Sequence, residues 1–373
     1  MTSKGTAAGL VDWRTVERLT ALIPAGPSAS RSARASSVAV LRRSALEAPA
    51  WVARITGLNR AAQQVAETTR VSVVDRAGLV RASTRALRGL MEQVPAPQAS
   101  EAVRLVGAAE MAGAMSLLAT RLLGQVVPAA GTGADGDAGR GGEASPHLLL
   151  VAPNVLAMRR QLDLDMLDLP AWVCLHEMTH AVQLAAAPWL GPYLSDSMRM
   201  VIGAVVEAVY GGPGGGADGT GEQGLRRRPG RAARIAARAG RGRVLEGLTN
   251  FKERSEVASL AAALTFLEGH AEVVLDDVHP NRMPSVHRLR AVLSRSRAAD
   301  AGIGPGPGLG SLLLHRLMGL EAKEAQYADG TAFVRSVVAR IGHEGLNVVW
   351  TDPALLPTPA EIARPDVWVR RVG

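Results

Sequence analysis

Five consecutive residues, His176-Glu177-Met178-Thr179-His180, carry the most specific chemistry in this chain. On an α-helix four residues make roughly one turn, so both imidazoles leave the same face and can hold one zinc ion. Glu177 sits beside them, where it can take a proton from a zinc-activated water. A catalytic zinc needs a third protein ligand and one position left open to water. Leu267-Glu268-Gly269-His270-Ala271-Glu272 offers one: two acids and a histidine inside an apolar run are costly to bury without a partner. Glu268 and Glu272 are four apart and share a helical face, while His270 points roughly opposite. Glu268 as ligand, with Glu272 accepting from a ligating imidazole N–H, is the tidiest assignment. Glu272 and His270 remain as alternative ligands. The competing bland reading is a pair of satisfied histidines on a half-buried helix.

These side chains need elements to hold them. From Val11 to about Gln125 the periodicity is mostly helical, with a long apolar repeat over Ala102–Leu123. It is interrupted by a β-branched segment, Val71–Asp75, that ends in a turn signal. His147–Ala152 reads as a buried strand, after which Asn154 can cap a helix. Pro170 suits the first turn of the helix that carries the two histidines, and Pro188 stops it. A strongly apolar helix is expected over Glu253–Val278, bringing Glu268, and another over Leu312–Ile341. The implied architecture is α+β and predominantly helical, with a small sheet. It is read as one domain over 1–373, with a mainly helical part at 10–128, a flexible loop at 129–146 and the chemistry-bearing part at 147–372. Residues 211–243 read as a disordered Gly/Arg-rich insertion and 302–310 as a flexible loop.

Composition narrows the function classes. Of 373 residues, 47% are hydrophobic and 20% charged, which suits a core-forming globular chain. Aromatics are only 3%, so the core must be built from Ala, Leu and Val, and few rings are on hand for base stacking. The net charge of +8 is concentrated: residues 211–243 hold eight arginines against two acids, Asp218 and Glu222. A basic segment of that kind reads as a solvated insertion, and nucleic acid is not expected as a partner. Two G-x-G-x-x-G strings, at 131–136 and 214–219, lie in low-complexity sequence without a flanking strand and helix, so no dinucleotide site is expected. Cys174, the single cysteine, excludes an intramolecular disulfide and any multi-cysteine metal cage. It lies out of phase with His176 and reads as a core thiol. The apolar stretch Leu105–Val127 is broken by Glu110 and Arg121, so no membrane span is expected, and the chain reads as cytoplasmic.

The quoted residues resemble the gluzincin metallopeptidases, in which H-E-x-x-H is followed by a ligating glutamate in an E-G-x-A context. More specifically, Val11-Asp-Trp13, Pro24-Ala-Gly-Pro27, Leu149-Leu-Val-Ala-Pro-Asn154, Trp172-Val-Cys-Leu-His-Glu177, Leu267-Glu-Gly-His-Ala-Glu272, Gly319-Leu-Glu-Ala-Lys323 with Gln326-Tyr327, and Leu346-Asn-Val-Val-Trp350 are similar to the actinobacterial zincin-like metallopeptidase family. The resemblance spans nearly the whole chain apart from the two low-complexity segments. It implies a zincin core with helical elaboration, and one zinc per chain on His176, His180 and Glu268. It also implies hydrolysis of peptide or amide bonds, with Glu177 as general base. The spacing from His180 to Glu268 is longer than in compact gluzincins, and the 211–243 insertion accounts for part of the excess. For oxyanion stabilisation Tyr327 is the first choice, with Tyr193, Tyr210 and His315 behind it; a tyrosine that merely anchors its helix competes with that role. A zinc-stabilised binding or scaffold protein of the same fold, with little turnover, is the alternative function. Oligomeric state and the identity of the substrate are not written in these residues.

Overall fold

The computed structural model describes residues 5–127, 146–210, 251–299 and 324–373, and side chains within these except at 208–210, 251–254, 293–299 and 324–328. The expected loops at 129–145 and 302–310, the 211–243 insertion, residues 312–323 of the expected last long helix, and His315 lie outside the described residues. So do the side chains of Tyr210 and Tyr327.

The sheet that organises the fold has three strands. β1 (Gly5–Thr6) and β3 (Pro95–Ala96) form a separate short antiparallel pair. β2 (Arg70–Val74), β5 (His147–Val151) and β4 (Gly124–Val127) lie side by side in the order β2-β5-β4. β2 runs parallel to β5, with Arg70 opposite His147 and Val74 opposite Val151. β4 runs antiparallel to β5, with Gly124 opposite Leu150. The two strands expected from the sequence are thus neighbours. The third was not expected: the helical repeat stops at Arg121, and Gly124–Val127 leaves it to become an edge strand. At Leu122 the backbone is already extended, and the pairing that rewards the switch comes from β5, remote in sequence.

Because side chains alternate along a strand, the central strand divides two cores. Leu148 and Leu150 pack with Leu41, Val52, Trp172, Val173 and Leu175. Leu149 and Val151 face the other way, towards Leu79, Met115 and Leu118. The second layer is built by α1 (Trp13–Thr20), α4 (Arg76–Glu92) and α5 (Glu101–Arg121). The first is built by α2 (Arg31–Thr56), α3 (Asn59–Thr68), α6 (Ala152–Gln161) and α7 (Asp168–Ala186). Asn154 ties the layers together. It is not the helix cap that the sequence suggested, because α6 starts two residues earlier. Instead its buried amide donates to the Ala119 and Leu122 carbonyls at 2.8 and 2.7 Å and accepts from Arg76 at 2.7 Å.

Beyond α8 (Leu190–Tyr210), the long helix α9 (Phe251–Asp276) lies against α7. α10 (Val286–Ala299) and α11 (Glu324–Leu346, broken at Gly342) follow, then the short α12 (Pro359–Ile362) and α13 (Pro365–Val372). Phe266, Phe333, Trp350 and Trp368 gather in a third apolar cluster behind α9. By length and composition alone α5 and the Ser255–Asp276 part of α9 could each cross a bilayer, but 67% of the latter is buried inside the fold, against 28% of α5.

Candidate metal centre

α7 is buried almost all round, which is why its sequence reads as a nearly continuous apolar run rather than a stripe. Its entry is fixed by Asp165, whose carboxylate accepts from the Leu167 and Asp168 amides. Asp168 in turn accepts from the Ser285 amide at 2.7 Å, pinning the chain after α9 to the start of α7. Cys174 is a core thiol, as its phase on the helix suggested. It is fully buried, its Sγ lies 3.5 Å from the Leu41 carbonyl, and burial pushes its ionisation well above the ordinary thiol range.

α9 approaches its neighbour α11 at two glycines. A Cβ on Gly269 would lie 2.3 Å from the Gly330 carbonyl carbon, and one on Gly330 would lie 2.2 Å from the Thr265 carbonyl oxygen. Only glycine at both positions permits this crossing. The residues on either side of Gly269 are Glu268 and His270.

The two helices bring His176, His180 and Glu268 together, with one ligand atom from each lying within 4.8 Å of the others. The Nε2 atoms of His176 and His180 are 3.3 Å apart. Glu268 Oε2 is 3.4 Å from His176 Nε2, and its Oε1 is 3.6 Å from His180 Nε2. A tetrahedral ion with bonds of about 2.0–2.1 Å sets neighbouring donor atoms about 3.3 Å apart, so these separations suit zinc. Two nitrogens and a carboxylate are also the donor set of a catalytic zinc that keeps one position open. The alternatives fall elsewhere: Glu272 Oε1 is 3.7 Å from His176 Nδ1, on the far side of that ring, and His270 turns towards Gln183.

The electrostatics follow from burial and proximity. Burial opposes charge on Glu268, yet the nearby His180 and His176 imidazoles hold its carboxyl well below the usual carboxylate range. Burial likewise opposes charge on His180, but the Glu268 carboxylate, with Glu177 and Gln183 adding, pushes it up to about 9. Glu177 moves the other way: burial raises its pKa, and the attraction of His176 and His180 does not undo the effect. His270 is pushed down to about 3 by complete burial, with His343 and His180 adding to the effect.

Several contributors had no strong signal in the sequence. The Val126 backbone amide of β4 lowers the pKa of the Glu177 carboxyl, against the larger effect of burial. Gly124 lies against the same side chain, where a Cβ would come within 2.7 Å of Glu177 Cγ. Gln183 bonds His180; its i+3 position was visible, but nothing in the sequence showed what stands on its other side. Trp350 closes the wall behind His270, with ring centroids 5.3 Å apart. Tyr193 is half-buried beside Trp189 on α8, and burial raises the pKa of its hydroxyl.

A buried glutamate thus stands beside a two-histidine, one-glutamate cluster that could hold a metal ion. The chain belongs to the zincin-like metallopeptidase family, whose model matches residues 11–369. Among curated proteins none matches. A crystal structure of a candidate hydrolase with a novel fold from Chloroflexus aurantiacus is similar over 97% of this chain and 98% of that one. The identity is 21% and the TM-score 0.57, a likeness of fold.

Proposed function

We propose that the chain is a zinc-dependent peptidase that cleaves peptide or amide bonds with Glu177 as general base. The observation that carries this reading is the position of Glu177: buried, one residue from His176 and beside the His176, His180 and Glu268 cluster. When bound, zinc supplies Lewis-acid polarisation of an amide carbonyl and a water of lowered pKa. His176, His180 and Glu268 hold the ion. Burial makes Glu177 a stronger base than an exposed carboxylate, matched to accepting a proton from water near neutral pH and returning it to the departing amine. The Gly124 backbone packs against the Glu177 side chain without a Cβ in the way. Tyr327, at the start of α11, is our choice for the group that donates to the developing oxyanion.

Substitution of Glu177→Gln tests the base directly. Cleavage of a fluorogenic peptide library should fall by about 10²–10⁴-fold while zinc content stays unchanged. Zinc retained in both proteins, with no cleavage by either, would favour the scaffold alternative.

A further inference from the structure

Gln183 faces three polar groups at once. Its Nε2 lies 3.0 Å from the Leu267 carbonyl oxygen and 3.0 Å from His270 Nδ1, and its Oε1 lies 2.9 Å from His180 Nδ1. A backbone carbonyl only accepts, so the atom facing Leu267 must be the amide nitrogen. The oxygen then faces His180, and His180 Nδ1 must carry a proton to donate to it. A neutral imidazole with its proton on Nδ1 presents its lone pair at Nε2, the atom that converges on His176 and Glu268. The second amide hydrogen of Gln183 points at His270, so His270 Nδ1 must accept, and its own proton sits on Nε2.

From this chain of forced donors and acceptors we propose that Gln183 is a positioning residue. It reads the Leu267 carbonyl, selects the Nδ1–H tautomer of His180, and ties the ligand-bearing faces of α7 and α9 together, with His270 as the acceptor that keeps the amide from rotating. The inference deepens the metallopeptidase reading and rests on it for the zinc.

The burial of His270 argues independently for the acceptor role. His270 is fully buried among Phe266 and Trp350, where a leucine or phenylalanine would pack without polar cost. The fold instead accommodates an imidazole whose Nε2 has no hydrogen-bond partner. Such a group is retained for what its other nitrogen does. His176 differs, since its Nδ1 has no partner within hydrogen-bond distance and Glu272 stands 3.7 Å away, so the tautomer is enforced through hydrogen bonds on the His180 side.

Two measurements test the proposal on the full chain. In zinc titrations against a chromophoric chelator, Gln183→Met, which keeps size but loses all three bonds, should weaken binding by about 10–100-fold. Gln183→Glu, which keeps the acceptor for His180 Nδ1, should lose less. A packing role predicts the reverse order, because methionine is the better-buried side chain, and that order would overturn the proposal. His270→Phe should weaken zinc several-fold without disturbing the aromatic cluster; no change would remove His270 from the relay. The second measurement needs no variant to fold: long-range proton–nitrogen NMR of zinc-loaded ¹⁵N-histidine protein should show neutral His270 protonated at Nε2 and His180 carrying its one proton at Nδ1. A His270 proton on Nδ1 contradicts the assignment. Zinc binding without peptide cleavage would defeat the peptidase reading and leave the Gln183 inference standing. If the wild-type chain bound no zinc, the His270 tautomer would still decide the inference.

Discussion

Among the described residues, two buried carboxylates, Glu361 and Glu268, sit in clusters built on opposite principles. Near the C-terminus, Glu361 accepts from the Thr358 amide and hydroxyl and from Arg371 Nε and Nη2, at 2.7–3.0 Å. Arg371 spends its remaining donors on the Ala354 and Leu356 carbonyls. Four of the five Arg371 N–H groups meet acceptors there, and Arg371 ties the Thr358–Glu361 capping box of α12 to α13. At the junction of α7 and α9, by contrast, His176 Nε2 and His180 Nε2 point at one another and at a single carboxylate, and His176 Nδ1 has no partner. A saturated cluster holds the chain together, whereas one whose lone pairs converge without enough protons is arranged to receive a cation.

The comparison breaks most severely at Glu268. Glu268→Ala should abolish activity and weaken zinc by more than the roughly 10–100-fold cost of losing an outer partner. Zinc titrations check it, and full retention would pass the ligand role to Glu272. Protons should compete at this site far above the carboxylate range. Because Glu268 raises His180 to about 9, a cation must displace a proton at neutral pH. Zinc affinity should therefore climb by about tenfold per pH unit up to about pH 9, and titrations across pH 6–9 read the slope.

Gly124→Ala should push the Glu177 carboxylate out of line and lower turnover by up to about 10²-fold, with zinc content unchanged. Steady-state rates beside elemental analysis separate the two effects. At the saturated cluster Glu361→Ala should leave zinc binding alone and cost about 1–3 kcal/mol of stability in denaturant unfolding. Burial opposes charge on Glu361, but Arg371 and Thr358 lower its pKa overall. Its contribution is accordingly present above the ordinary carboxylate pKa and lost as pH falls through the lower folded value. That acid window lies well below the one governing zinc.

The parts of the site that sequence revealed are those set by spacing within one helix. His176 and His180 share a face because they are four apart, and Glu268 stood out because an acid in an apolar helix needs a partner. Choosing among Glu268, Glu272 and His270 required the packing of α9 against α7, which no local pattern encodes. Strands β2 and β5 were legible as β-branched or apolar runs. β4 was not, since Gly124–Val127 continues an apolar helical stretch and becomes a strand only through pairing with β5. Gln183 was visible as a residue but silent as a function, because its meaning depends on the Leu267 carbonyl and His270 across the helix interface. The Tyr327 side chain, the first choice for the oxyanion donor, lies outside those described.

The most direct test of the metal centre is elemental analysis of the purified full-length chain after zinc loading and dialysis. About one zinc per chain, released by a chelator with a measurable loss of thermal stability, is the result that the convergence of His176, His180 and Glu268 predicts. A chain that emerges zinc-free, with a melting temperature indifferent to added zinc, would contradict it.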